Sequence, residues 1–237
     1  MTDTVERRPR GLKIGTKSVL YGAHCFFLHP WFVARAWWKL FGFPWDPRLW
    51  VAFFVHDLGY WGSPNMDGPE GERHPEWGAR LMSRLFDRRH RPSTAGGERF
   101  EWRCCFNDWD SDRDFLLGPW GQLTLFHSRF YAKQNEARYS RLCVADKLAI
   151  ALTPAWLYLP MARATGEIHE YMALSKSRTA AGEPKYSSMQ LATDDQHRWY
   201  LDVQEYIRRW VAEHQDGRPD TWTPDTRTAR TDSGVWT

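Results

Sequence analysis

The feature that most constrains this 237-residue chain is a short stretch with no polar side. Residues 49–55 read Leu-Trp-Val-Ala-Phe-Phe-Val. Asp46-Pro47 stands just ahead, an N-cap residue followed by proline where a helix tolerates it, so the stretch predicts a helix. A helix that is apolar all round is stable only when other elements surround it. This one is therefore expected at the centre of a helical domain. It runs directly into His56-Asp57, so whatever covers the helix also covers an imidazole and a carboxylate. A lone carboxylate in such a place is costly.

The rest of the pattern is helical too, and no strand pair or internal repeat is found. Residues 1–16 are polar and are expected to lead in without structure, with helix from Lys17. His29-Pro30 opens an apolar-periodic run ending at Gly42, which combines proline at a helix start with glycine at a helix end. After a loop over 62–73, His74-Pro75 opens a helix to about Phe86, with Trp77, Leu81, Met82 and Leu85 expected inside. Residues 88–99 read as a surface loop, and 100–117 receive no assignment. Helix is expected again from Trp120 past His127, over 136–152 with Asn135 as cap, and from a Thr193 cap to His214 with Gly217 ending it. Pro154 and Pro160 are expected to interrupt the segment between. The tail over 217–237 is expected to be disordered. The fold class is all-α: a helical domain over 17–160, a C-terminal helical extension over 161–216 and flexible ends.

Composition narrows the partners. Hydrophobic residues make up 42%, enough for a core, and 15 tryptophans are present, most expected inside and some lining a pocket or contact surface. The net charge of +3 and the scattered arginines permit an anionic small molecule but do not demand nucleic acid. The Arg7-Arg8-Pro9-Arg10 start reads as a solvated tail. Cys25, Cys104, Cys105 and Cys143 show no zinc-type spacing, which fits reduced thiols. No uninterrupted apolar stretch follows the charges at the start, so no signal peptide is expected, and no run approaches ~18 apolar residues. The chain is expected to be cytoplasmic, with no membrane partner and with a homo-oligomer open.

His56-Asp57 alone means little, because such a dipeptide is common by chance. Further metal-competent side chains lie beside large hydrophobic residues elsewhere: His29, His74, His127 and Asp146. Histidines and carboxylates converging from several helices can hold a divalent transition metal. The order resembles that of the HD-domain metal-dependent phosphohydrolases: a leading His, the HD dipeptide, further His and a late Asp. Phe54-Val55-His56-Asp57-Leu58-Gly59 is similar to the family's apolar-HD-apolar-Gly signature. His74-Pro75-Glu76-Trp77-Gly78-Ala79-Arg80-Leu81 resembles its H-P-x-x-G-A-x-L segment, and Val144-Ala145-Asp146-Lys147-Leu148 its late helix. The resemblance covers roughly residues 20–160.

The resemblance implies an HD-type helical bundle holding one or two divalent ions (Mn, Fe, Co, Zn or Mg). His29, His56, Asp57 and Asp146 would hold the first ion, with Asp57 bridging to a second at His74 and His127. It implies hydrolysis of a phosphate ester or anhydride, for instance of a nucleotide, by metal-activated water. Asp57, Lys133 and Lys147 are the catalytic candidates, with His24, Arg129 and Lys133 for substrate. Consecutive helix positions diverge by about 100°, which is expected to turn Lys147 away from its neighbour Asp146. The family's dinuclear branches commonly carry two further His between the His74 position and the late Asp, sometimes adjacent. Here His127 is followed by Ser128, and His90 falls in the expected loop. Several alternatives stay open. His24 competes with His29 as first ligand, His127 could be a core histidine, and Asp146 could pair with Arg138 or Lys147. His169, His197 and His214 stand in polar surroundings and are expected at the surface. An HD-type diiron oxygenase acting on a small polar substrate is the alternative activity.

Overall fold

A computed structural model describes residues 11–87, 117–180 and 191–216, and among these the chain is all-α with no strand. Ten helices follow in order: α1 (Ile14–Tyr21), α2 (His29–Phe41), α3 (Pro47–Val55), α4 (Pro75–Phe86), α5 (Pro119–Leu125), α6 (Arg129–Gln134), α7 (Arg141–Leu152), α8 (Ala155–Thr165), α9 (Glu167–Ala180) and α10 (Gln196–His214). Short 3-10 turns cover Leu58–Tyr60 and Gly71–Arg73.

The boundaries follow from local chemistry. Asp46 caps α3 by accepting from the Arg48 N–H at 2.9 Å, and Gly42 ends α2 at φ 87°, a conformation that costs glycine nothing. The free N–H groups opening α5 are satisfied from a distance, since the Asp87 carboxylate accepts from Trp120 and Gly121. Several starts differ from the sequence expectation. Helix begins at Ile14 rather than Lys17. The segment around His127 is two helices, with His127 in the turn between α5 and α6. Asn135 closes α6, its N–H returning to the Tyr131 carbonyl, and Ser140 caps α7 by accepting from Cys143. Asp195 rather than Thr193 caps α10, and α8 runs straight through Pro160. The expectations for 1–10, 88–116, 181–190 and 217–237 lie outside the described residues.

α7 is the central element. One side of it (Leu142, Ala145, Ala149) packs with Val33, Ala36 and Trp37 of α2, Ala52 and Phe53 of α3, and Met82 of α4. The other side (Cys143, Val144) shares a core with Tyr206, Ile207 and Trp210 of α10. The apolar α3 is less enclosed than expected: Ala52, Phe53 and Val55 are buried, whereas Leu49, Trp50, Val51 and Phe54 are only partly so. A third cluster joins Tyr158 and Leu159 of α8, Ile168 of α9, and Trp199 and Tyr200 of α10.

Several apolar residues are less buried than expected. Trp77 and Leu85 of α4 are half exposed, and Trp31, Trp38, Trp45, Trp61 and Trp156 are more so. Among the described tryptophans only Trp37, Trp199 and Trp210 are buried. His214 errs the other way. It is fully buried, its ring stacked on Trp210 at 4.6 Å with Nδ1 donating to the Trp210 carbonyl. Its polar sequence neighbours lie on the opposite side of α10. No single described helix is long and apolar enough to cross a membrane, and α7 and α8, which reach that length together, are bent by 101°.

Candidate metal centre

Six side chains from five segments meet beside α7. His29 comes from the first turn of α2, His56 and Asp57 from the end of α3, and His74 from the entry to α4. His127 comes from the α5–α6 turn and Asp146 from the middle of α7. They form two groups sharing one residue: His29, His56, Asp57 and Asp146, and Asp57, His74 and His127. All six are buried.

Asp57 is turned so that each oxygen serves one group. Its Oδ2 lies 3.1 Å from His56 Nε2 and 3.4 Å from His29 Nε2. Its Oδ1 lies 3.4 Å from His127 Nε2 and 3.5 Å from His74 Nε2. Asp146 completes the first group through Oδ1, 2.9 Å from His29 Nε2 and 3.6 Å from His56 Nε2. Its Oδ2 receives a hydrogen bond from Lys147 Nζ at 3.0 Å. The lysine therefore curls back onto its neighbour rather than turning away, because its long chain outreaches the divergence of adjacent positions.

Three imidazoles are held in the same way. His56 Nδ1 lies 3.0 Å from the Phe53 carbonyl, His74 Nδ1 2.7 Å from that of Gly71, and His127 Nδ1 bonds that of Thr124. In each case the partner is three residues back; the Phe53 and Thr124 carbonyls stand in the last turns of α3 and α5, where carbonyls lack helical partners, while that of Gly71 also accepts from the His74 N–H at 3.1 Å. A carbonyl can only accept, so all three Nδ1 atoms carry protons, and in the neutral rings Nε2 offers a lone pair to the cluster. Such an outward hydrogen bond orients a metal-binding histidine.

The donor set fits a cation. His74 Nε2 and His127 Nε2 face each other at 3.1 Å, two lone pairs that repel unless a positive centre lies between. His56 Nε2 and Asp57 Oδ2 approach closely without the alignment of a hydrogen bond, and both are buried without a hydrogen-bond partner. Imidazole nitrogens with carboxylate oxygens suit first-row divalent ions. A small cavity bordered by His24, His29, His56 and Asp57 has room for about one water-sized body.

Burial and mutual charge split the titrations. Burial opposes charge on His56, but Asp57 and Asp146 outweigh it and raise its pKa to about 10. His29 is raised through the same balance. Burial, reinforced by the neighbouring imidazole, pulls His74 well below its usual value, and burial lowers His127 also. Burial likewise opposes ionisation of Asp57 and Asp146, yet both are held well below the carboxylate range, Asp57 mainly by His56 and His24, Asp146 mainly by Lys147 and His29.

His24 stays outside both groups. Its ring lies 5.6 Å from that of His29, and its Nδ1 is 3.0 Å from Ser18 Oγ and 3.7 Å from the buried Glu167. Arg129 reaches Tyr206 Oη at 3.3 Å and lies over Trp210, and Lys133 is half-buried on α6. Neither is hydrogen-bonded or ion-paired to any of the six among the described residues. His90 lies outside the described residues.

Sequence reasoning missed Tyr60, stacked on His74 at 3.9 Å, and Glu167. Neither carries a local signal. It also gave no packing reason for two glycines. A Cβ at Gly59 would sit 1.9 Å from the His74 carbonyl oxygen, and one at Gly78 2.7 Å from that of Val55. Both glycines let a ligand-bearing segment close against its neighbour.

No family model, curated protein or solved structure matches the chain.

Proposed function

We propose that the chain is a metal-dependent phosphohydrolase of the HD type, acting on a phosphate ester or anhydride such as a nucleotide. The observation that carries this reading is the division of Asp57, whose two oxygens face two separate sets of ligand nitrogens. Divalent ions held there would lower the pKa of water towards ~7 and polarise a phosphoryl oxygen. The protein's own part is to fix the ligands. Backbone carbonyls of Phe53, Gly71 and Thr124 set three imidazoles, and Lys147 sets which oxygen Asp146 presents. Lys147 is the least buried of these groups and supplies a cation where phosphoryl charge develops. His24, Arg129 and Lys133 are proposed to contact substrate from beyond the ligands.

One observation favours a second reading. The first group contains two histidines and two carboxylates and the second two histidines and one carboxylate, donor types that also suit oxygen-activating iron. The test is release of phosphate, pyrophosphate or triphosphate from a nucleotide panel with Mn, Co, Fe, Mg or Zn, comparing wild type with Asp57→Ala. Release under anaerobic conditions, lost in the variant, supports the hydrolase. No release, with oxygen consumption dependent on reduced iron, supports an HD-type diiron oxygenase instead.

A further inference from the structure

The outer face of α2 carries a second feature that the metal centre does not use. Trp31, Arg35, Trp38 and Lys39 follow one another at helical spacing on one side of the helix. With Phe43, Pro44 and Trp50 they line an open cleft of about 540 Å³. Trp31 is 56% exposed, Trp38 60%, and Trp45 beside them 84%. Ring contacts run from Phe27 through Phe26 and Phe54 to Trp31 and on to Trp50, and separately from Trp38 through Phe43 to Trp45. Trp50 Nε1 donates to the Pro44 carbonyl at 3.0 Å, tying the strip to α3. Aromatic surface this contiguous and this exposed marks an interaction site.

Among the described residues its charge is one-signed. α2 contains Arg35 and Lys39, both exposed, and no Asp or Glu. The nearby Asp46 is matched by Arg48, whose guanidinium meets both carboxylate oxygens. The face is therefore aromatic and cationic.

We propose that it docks onto an anionic phospholipid bilayer surface. Trp31, Trp38, Phe43 and Trp45 would lie at the headgroup–acyl boundary, with Arg35 and Lys39 against lipid phosphates. Tryptophan concentrates at that boundary because its ring is apolar while its N–H stays wet. Long basic side chains bury their stems there and keep the charge in the headgroups. A protein partner is the competing occupant, because tryptophan, phenylalanine and arginine are enriched in such interfaces although lysine is depleted, and the self-association arm of the test separates the two. A single-stranded nucleic acid would need a continuous basic groove, which two cations do not form.

The test is co-sedimentation of the full chain with vesicles of phosphatidylcholine alone or mixed with phosphatidylserine, at low and high salt. Wild type is expected to pellet with the mixed vesicles and to be released by salt. Each cation near an anionic surface contributes roughly fivefold, so the double variant Arg35→Gln, Lys39→Gln should bind roughly 25-fold more weakly. The variant Trp38→Ser, Trp45→Ser should lose binding, whereas Trp156→Ser, which removes an exposed tryptophan from α8, should bind as wild type. The charge variant alters only exposed side chains and stays informative if the tryptophan variant loses helix content. The proposal is overturned if wild type stays in solution with both vesicles, or if the charge variant binds undiminished. It is equally overturned if the tryptophan variant instead abolishes self-association or oligonucleotide binding in a chain that ignores vesicles.

Discussion

Replacing Gly78 by alanine sets two physical effects against each other. Inside a helix, glycine to alanine is worth about 1 kcal/mol in favour of the helix. At this position, however, α4 crosses the end of α3 with no room for a methyl group. The new Cβ would lie 2.7 Å from the Val55 carbonyl oxygen and 3.2 Å from His56 Cα. The obstacle is backbone, so relief requires the two helices to part, at an overpacking cost of about 1–3 kcal/mol. The net is a loss of between 0 and about 2 kcal/mol, which lowers the Tm by up to roughly 4–8 °C in a chain of this size. The metal centre should suffer more than the fold, because the segment pushed is the one carrying His56 and Asp57. Thermal unfolding by circular dichroism and elemental analysis after gel filtration measure the two effects. Gly59→Ala, whose Cβ would meet the His74 carbonyl oxygen at 1.9 Å and which gains no helix interior in return, should lose more of both. A Gly78→Ala variant with a raised Tm and undiminished metal content would refute the close-approach argument.

Three further outcomes are expected. At pH 6.5 His56 and more than half of His29 are protonated, because both values are raised, whereas His74 is neutral and His127 less than half protonated, because both are lowered. Loading the first group should thus release about one to two protons and strengthen as pH rises towards 10, while loading the second releases fewer. Calorimetry in buffers of different ionisation enthalpy checks this, and equal proton release at both steps would contradict it. Lys147→Met should weaken retention of the ion at Asp146 by about 10–100-fold and spare the other, as read by metal titration; a fall in turnover with unchanged affinity would make Lys147 purely a substrate contact. Asp87→Ala should cost about 1 kcal/mol by uncapping α5 and loosen the His127 side of the site, and an unchanged denaturation midpoint would show that the cap carries nothing.

The six candidate ligands were legible because they stand beside apolar runs, most of them at helix ends and Asp146 within α7. The end of α3, the His74-Pro75 start and the apolar face around Asp146 announce themselves by pattern. Other features depend on the assembled fold. Asn135 and Ser140 are both good caps by type, and only the short α6 decides between them. His214 sits among polar neighbours in sequence, yet Trp210, one turn earlier, draws it inward. Tryptophan content suggested core, but α7 and α3 cover only the inner side of α2, and among the described residues its outer tryptophans meet other partly exposed rings. The Asp87 cap on α5 spans 33 residues, beyond the reach of any local rule.

The proposal that Asp57 joins two metal positions is decided by counting ions bound per chain in wild type and in Asp57→Asn after saturation with manganese and removal of the excess. About two ions are expected in wild type and at most one in the variant. Equal metal content in the two proteins, or none held by wild type, would contradict it.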